Sequence, residues 1–265
     1  MRRALVAVTA MLLATACSPG AGATSGAPPA ALTVFAAASL KGALDEATAA
    51  YEAANRGTTI TLATDSSAAL ETQIEQGAPA DVFLSADTTS PARLVEDGFA
   101  SGEPVAFAGN KLAVIVPKGN PGAVTSPFDL AKPGLKVIAA GDEVPITKYA
   151  TQLVANLAAD DGSPAGFEEA YARNVVSKED NVRAIVGKIE LGEGDAAIVY
   201  ATDADASGGV DALDVPDGAN VPATYAGVAI KASPNQAAAA AFLAWIAGPD
   251  GQEILATFGF LPPPS

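Results

Sequence analysis

Two serines and a tyrosine stand where this chain could do chemistry. Ser39 follows a short apolar run that begins at Leu32, and after it Leu40, Ala43, Leu44, Ala47 and Tyr51 recur at helical spacing. Serine is a preferred helix N-cap, and Ala36, Ala37 and Ala38 leave room above the first turn. The free N–H groups and partial positive charge of the helix start would face that room, which makes an anion site without a cationic side chain. Ser67 repeats the arrangement: Thr58 to Ala63 favours strand, Thr64-Asp65-Ser66-Ser67 follows, and Leu70 and Ile74 mark a helix. Tyr200 ends the strand-like run Ala196-Ala197-Ile198-Val199 and places a hydroxyl at its tip. Taken singly, each has an ordinary reading as well, a capping serine in an αβ crossover or a half-buried aromatic with a satisfied hydroxyl.

The elements that must position these groups alternate strand and helix. Residues 81–86 form a near-continuous apolar strand of the kind buried in parallel sheets, and 91–98 a helix stopped by Gly98. The pattern restarts after Pro117-Lys118-Gly119-Asn120-Pro121. Ser126 to Leu130 gives a short capped helix, 135–139 a strand, and Pro145 suits the first turn of the next helix. Ser177-Lys178-Glu179-Asp180 has capping-box spacing before the apolar face of Val182, Ile185, Val186 and Ile189. The chain then returns through a strand at 224–230, an alanine-rich helix at 236–247 and a final helix at 252–258, expected to pack on the first lobe. With 265 residues and 49% hydrophobic content, this predicts two doubly wound α/β lobes joined by a hinge, with a cleft between them. Lobe 1 is expected to span 32–107 plus 225–265, and lobe 2 to span 108–224.

Composition removes much chemistry. There is no histidine and one cysteine, which excludes Ser-His-Asp and Cys-His catalysis, His or Cys zinc sites and an intramolecular disulfide. A net charge of −15 argues against nucleic acid or an anionic membrane surface as partner. Arg2 and Arg3 precede an uncharged apolar run from Ala4 to Ala16, too short to span a bilayer and suited to a secretory signal over 1–16. Cys17 follows Leu13-Ala14-Thr15-Ala16, which resembles a bacterial lipobox, although ordinary cleavage after Ala14-Thr15-Ala16 fits too. Residues 17–31 then read as a flexible, lipid-anchored tether. Export places the protein on the outer face of the cell membrane, or in a periplasm if Cys17 is not lipidated.

Five separated motifs, in order, resemble the periplasmic molybdate-binding proteins of ABC transporters. They are Val-Phe-Ala-Ala-Ala-Ser-Leu at 34–40, Gln-Gly-Ala-Pro-Ala-Asp-Val-Phe-Leu-Ser-Ala-Asp at 76–87, Gly-Asp-Glu-Val-Pro-Ile-Thr-Lys-Tyr-Ala at 141–150, Glu-Asp-Asn-Val-Arg at 179–183, and Ala-Ile-Val-Tyr-Ala-Thr-Asp-Ala at 197–204. The closing Phe-Leu-Ala-Trp-Ile at 242–246 is similar to the same family. The resemblance implies a type II periplasmic binding protein, not an enzyme, that holds molybdate and tungstate between its lobes. It implies that Ser39 and Ser67 each give a hydroxyl and a backbone N–H, Ile146 and Val182 a backbone N–H, and Tyr200 its hydroxyl. No cofactor is implied; the metal enters only inside the oxyanion. Thr147 departs from the family's usual glycine in V-P-x-G, which bears on the donor at Ile146.

The implied function is capture of the oxyanion for an ABC permease by a monomer, with a receptor for sulfate or another small anion as the alternative. A secreted serine hydrolase using Lys41, Lys111 or Lys148 as base is a remote rival, since no G-x-S-x-G or S-x-x-K motif supports it. Asp65, beside Ser66, would repel a dianion and is expected to turn outward or to cap. Asp81, Asp87 and Asp203 are expected to serve as loop or hinge hydrogen-bonders.

Overall fold

A computed structural model describes residues 30–264, so the expected signal segment, Cys17 and most of the tether lie outside the described residues. Strand β1 (Ala31–Ala37) passes through a 3₁₀ turn (Ala38–Leu40) into α1 (Lys41–Ala54), followed by β2 (Thr59–Asp65), α2 (Ser67–Glu75), β3 (Val82–Ser85), α3 (Thr89–Glu96) and β4 (Ala100–Asn110). After β5 (Leu112–Pro117) and a second 3₁₀ turn (Pro127–Ala131) come β6 (Val137–Ala140), α4 (Pro145–Ala158), α5 (Phe167–Asn174), β7 (Val175–Glu179) and α6 (Val182–Glu190). The chain ends with β8 (Ala196–Tyr200), α7 (Ala201–Asp205), β9 (Val210–Leu213), β10 (Ala223–Ile230), α8 (Gln236–Ile246) and α9 (Pro249–Thr257).

These strands form two five-stranded sheets of the same design. The first has the order β2-β1-β3-β10-β4 and the second β7-β6-β8-β5-β9. In each, three strands run parallel and the fourth, β10 or β5, runs antiparallel to both neighbours. Those two antiparallel strands are also the ones that adjoin the crossings between sheets. β4 carries the first sheet to Asn110 and β5 opens the second at Leu112, while β10 re-enters the first sheet at Ala223. The two lobes are therefore α/β units with mixed sheets.

The predicted apolar helix faces are the buried ones. Ala43, Leu44, Ala47 and Tyr51 of α1 are buried, and the Tyr51 ring meets Phe242 and Trp245 of α8 edge-on at 5.0 and 5.2 Å. The closing helices pack on the first lobe, α8 against β10 and α9 against α1. Gly227 on β10 lets α8 approach the sheet: a Cβ there would fall 2.6 Å from Leu84 and 2.9 Å from Leu243.

Two local expectations need correction. Residues 177–180 do not cap α6. Ser177 to Glu179 pair with Ile138 to Ala140 as strand β7, which commits their backbone to the sheet, and Asn181 is the cap, its Oδ1 accepting from Ala184 N–H at 3.1 Å. Ser39 is not an N-cap either. The 3₁₀ turn at Ala38–Leu40 intervenes, no side chain caps α1, and the Ser39 hydroxyl is used elsewhere.

Candidate functional site

The carboxyl ends of the parallel strands of both sheets face each other, which is where open α/β sheets place ligands. Four helical starts converge there. The 3₁₀ turn after β1 brings Ser39, α2 brings Ser66 and Ser67, α4 brings Pro145 and Ile146, and α6 brings Asn181 and Val182; Tyr200 joins them from the end of β8. Together they line a small cavity between the lobes, of about 10 Å³. Ser39, Ser67, Ile146, Val182 and Tyr200 are each at most 8% exposed, so the site is buried.

No lysine, arginine, aspartate or glutamate is among the residues lining this cavity. Its polarity comes from hydroxyls, one asparagine and helix starts. The backbone N–H groups of Ile146 and Val182 lie in the first turns of α4 and α6, where an α-helix leaves its donors unpaired, and neither finds a backbone acceptor among the described residues. The starts of α2, α4 and α6 also bring the positive ends of their dipoles to the cavity, which favours negative charge.

Each side chain is set by a local reason. Ser66 caps α2, its Oγ accepting from Ala69 N–H at 3.2 Å, which pushes Ser67 into the first turn and inward. Ser67 Oγ accepts from Ala86 N–H at 3.0 Å. Ser39 Oγ lies 3.0 Å from Tyr225 Oη. Thr147, in place of glycine, donates its hydroxyl to the Gly141 carbonyl at 2.6 Å and its N–H to Val144 at 2.9 Å. It thereby ties the first turn of α4, which carries Ile146 at the cavity wall, to the preceding loop.

Tyr200 is the outlier. Its hydroxyl is fully buried and has no hydrogen-bond partner among the described residues, a costly state for a polar group unless something supplies the partner. Burial first, then the proximity of Tyr225, Tyr149, Asp203 and Asp87, raises its pKa well above that of an ordinary tyrosine, so the group is a neutral O–H donor. Tyr149 stands behind it, ring centroids 6.2 Å apart, and is pushed up to about 12 by burial and by Asp87.

All five residues singled out in the sequence thus lie on one cavity. Ser66 and Asn181 line it too and were not anticipated; Asn181 was signalled by its position as a cap-type residue just before an apolar period. Asp65 accepts from Ser66 N–H at 2.8 Å and, across the cleft, from the Asn181 amide at 3.1 Å, so it bridges the lobes rather than facing the cavity. Asp81 accepts from Thr33 N–H, Ser233 and Asn235, and Asp87 from Ser85 and Ser90 N–H, as loop hydrogen-bonders do. Asp203 is different: its Oδ2 is buried without a hydrogen-bond partner among the described residues.

Two similar lobes closing on a cation-free polar cavity define a two-lobed receptor for a small solute. Residues 32–261 match the family described as bacterial extracellular solute-binding protein, and the chain belongs to that family. It is a solute-binding protein, not an enzyme. The molybdate-binding protein ModA of Mycobacterium tuberculosis is 34% identical over 263 residues, covering 97% of this chain and 96% of that protein. The Bacillus subtilis protein YvgL, named as a putative ABC transporter substrate-binding lipoprotein, is 30% identical over 258 residues, with 97% and 96% covered. The solved structure of the Azotobacter vinelandii periplasmic molybdate-binding protein superposes with a TM-score of 0.74 at 25% identity, covering 88% of this chain and all of that one.

Proposed function

We propose that this protein captures molybdate, and tungstate with it, outside the cytoplasm and delivers it to an ABC permease. The observation that carries this reading is the cavity itself, a site between helix starts with a Tyr200 hydroxyl unpartnered among the described residues and no charged side chain in its lining. A dianion loses a large hydration energy on burial, and fixed neutral donors at helix starts offset that loss. At about 1.5 to 3 kcal/mol per hydrogen bond to a charged group, five to eight donors suffice for a scavenging Kd between about 1 μM and 1 nM after ordering costs. Ser39 and Ser67 give hydroxyls and N–H groups, Ile146 and Val182 give N–H groups, and Tyr200 gives its hydroxyl. The names of the relatives support the same ligand.

Sulfate is excluded by size on this reading, because the bonds of metal oxyanions are longer. The hinge falls where the chain crosses between the sheets, near Lys111 and before Ala223, a few residues from the expected bounds of 32–107 plus 225–265 for one lobe and 108–224 for the other. The receptor acts as a monomer, tethered through a lipid on Cys17, in keeping with the lipoprotein named among its relatives. Replacing Cys17 by Ser should then release the protein from the membrane fraction; retention there would refute the anchor. Titration calorimetry with molybdate, tungstate and sulfate tests the ligand: heat from the first two alone supports the proposal, and heat from sulfate alone overturns it.

A further inference from the structure

Asn181 serves both lobes at once. Its Oδ1 accepts from Ala184 N–H at 3.1 Å and so caps α6, and because a backbone N–H can only donate, that contact fixes the orientation of the amide. The amide nitrogen is thereby left to donate across the cleft to Asp65 Oδ1 at 3.1 Å. The same Asp65 oxygen accepts from Ser66 N–H at 2.8 Å, while Oδ2 makes no hydrogen bond among the described residues. A carboxylate acceptor makes this contact stronger than one between neutral groups. Asp65 stands just before α2 and Asn181 just before α6, so one half-buried hydrogen bond ties together the helix starts that carry Ser67 and Val182.

The place of this pair in the sheets gives it leverage. Asp65 ends β2 and Asn181 follows β7, and each of these edge strands lies three strands from the antiparallel strand that adjoins the crossings, β10 or β5. At about 4.8 Å per strand, the pair stands roughly 14 Å from the hinge side. Opening the lobes by about 10° would part it by about 2 Å, more than a hydrogen bond tolerates. A second hydrogen bond between the lobes, Asn110 Nδ2 to Thr202 Oγ1 at 2.9 Å, lies beside the crossing, where the same rotation moves it little.

We infer that Asp65 and Asn181 are positioning residues that latch the closed lobes, and that this latch sets how slowly the bound oxyanion leaves. This rests on the oxyanion reading above and adds to it the control of release. The latch forms only once the lobes have met, so entry of the anion into the open cleft does not use it. Its loss therefore raises the off-rate and leaves the on-rate nearly unchanged.

The test is a double-mutant cycle on the full-length protein with wild type, Asp65→Ala, Asn181→Ser and the double variant. Serine keeps a cap for α6 and is too short to reach Asp65. Asp65→Ala also frees the Ser66 N–H, an effect the cycle subtracts. Titration calorimetry with molybdate gives Kd, a chase of bound radiolabelled molybdate with unlabelled anion gives the off-rate, and their ratio gives the on-rate. Each single variant should release molybdate about 3- to 10-fold faster at an on-rate within about twofold of wild type, and the double variant no faster than the faster single one. Asp65→Asn is the conservative rescue: it keeps the Oδ1 acceptor and puts its nitrogen where Oδ2 makes no hydrogen bond, so its off-rate should stay within about twofold of wild type. Unchanged off-rates in the single variants, additive increases in the double, a loss carried by the on-rate, or release from Asp65→Asn as fast as from Asp65→Ala would each overturn the latch. If Asp65→Ala fails to fold, Asp65→Ser, too short to cross the cleft, takes its place in the cycle. Wild type that holds labelled sulfate and not molybdate refutes the ligand assignment alone, and the cycle is then read with sulfate.

Discussion

The two lobes build half a site each, and they do it with different parts of the residue. The first lobe offers side chains: Ser39 and Ser67 bring hydroxyls whose oxygens are engaged from behind by Tyr225 and by the Ala86 N–H. The second lobe offers mainly backbone: Ile146 and Val182 bring N–H groups in the first turns of α4 and α6, while their own side chains are buried apolar packing. Only Tyr200 adds a hydroxyl from that side. Donors of the first kind depend on residue identity, whereas donors of the second depend on where a helix starts. Substitutions should therefore divide the lobes sharply.

The largest effect is expected from removing both first-lobe hydroxyls. Ser39→Ala with Ser67→Ala should cost about 3 to 5 kcal/mol of molybdate binding, each alone about 1.5 to 3, as read by titration calorimetry. A loss below about 1 kcal/mol for the pair would mean that the hydroxyls do not face the ligand. Second in size is Val182→Pro, which deletes the backbone donor at the first helical position, where proline is tolerated. Asn181 is already extended at φ −156° and ψ 166°, as a residue before proline must be, so the helix start can survive. Binding should fall by about 1.5 to 3 kcal/mol. Val182→Ala keeps the N–H and should change affinity less than about twofold, while costing roughly 1.5 kcal/mol of stability from lost burial. If alanine weakens binding as much as proline, the backbone account of the second lobe fails.

Tyr200→Phe comes third, at about 1 to 2 kcal/mol of affinity. Its hydroxyl has no protein partner among the described residues, so the ligand-free melting temperature should hold or rise. A lower melting temperature would show that the hydroxyl serves the fold.

The last effect concerns stability rather than affinity, in the second lobe. Burial pushes the Asp203 carboxyl up to about 7, against the pull of Arg183 and the Tyr200 backbone N–H. An unfolded aspartate titrates near 3.9, so between about pH 4 and 7 the folded chain holds a proton that the unfolded chain has lost. Stability from this group is fully present below the unfolded value and is lost as pH rises through about 7. Urea melts of wild type and Asp203→Asn at pH 5 and 8 should show the smaller decline in the variant; parallel declines would remove Asp203 from the pH dependence.

The contrast between lobes also explains what the sequence could reveal. The central strands and the helices that carry the site were legible, because apolar runs, cap residues and a proline at a first turn are local signals. Strands β4, β7 and β9 were not, and all three are edge strands. β4 is interrupted by Gly102, Pro104 and Gly109, β7 alternates half-buried and exposed residues, and β9 is four residues long, all of which an edge tolerates and a central strand does not. Ser39 and Ser67 could be found by residue type, whereas Ile146 and Val182 look like core and emerged only through the resemblance of their motifs. The bond between Asp65 and Asn181 gave no sign. The two are 116 residues apart in the chain and belong to different sheets, so only the meeting of the lobes brings them together.

The central claim is that neutral donors from both lobes hold a tetrahedral metal oxyanion. Titration calorimetry of the wild-type protein with molybdate, with sulfate as competitor, tests it most directly. One molybdate per chain with a Kd between about 1 μM and 1 nM, unaffected by excess sulfate, is the expected result. Heat from sulfate with none from molybdate would contradict it.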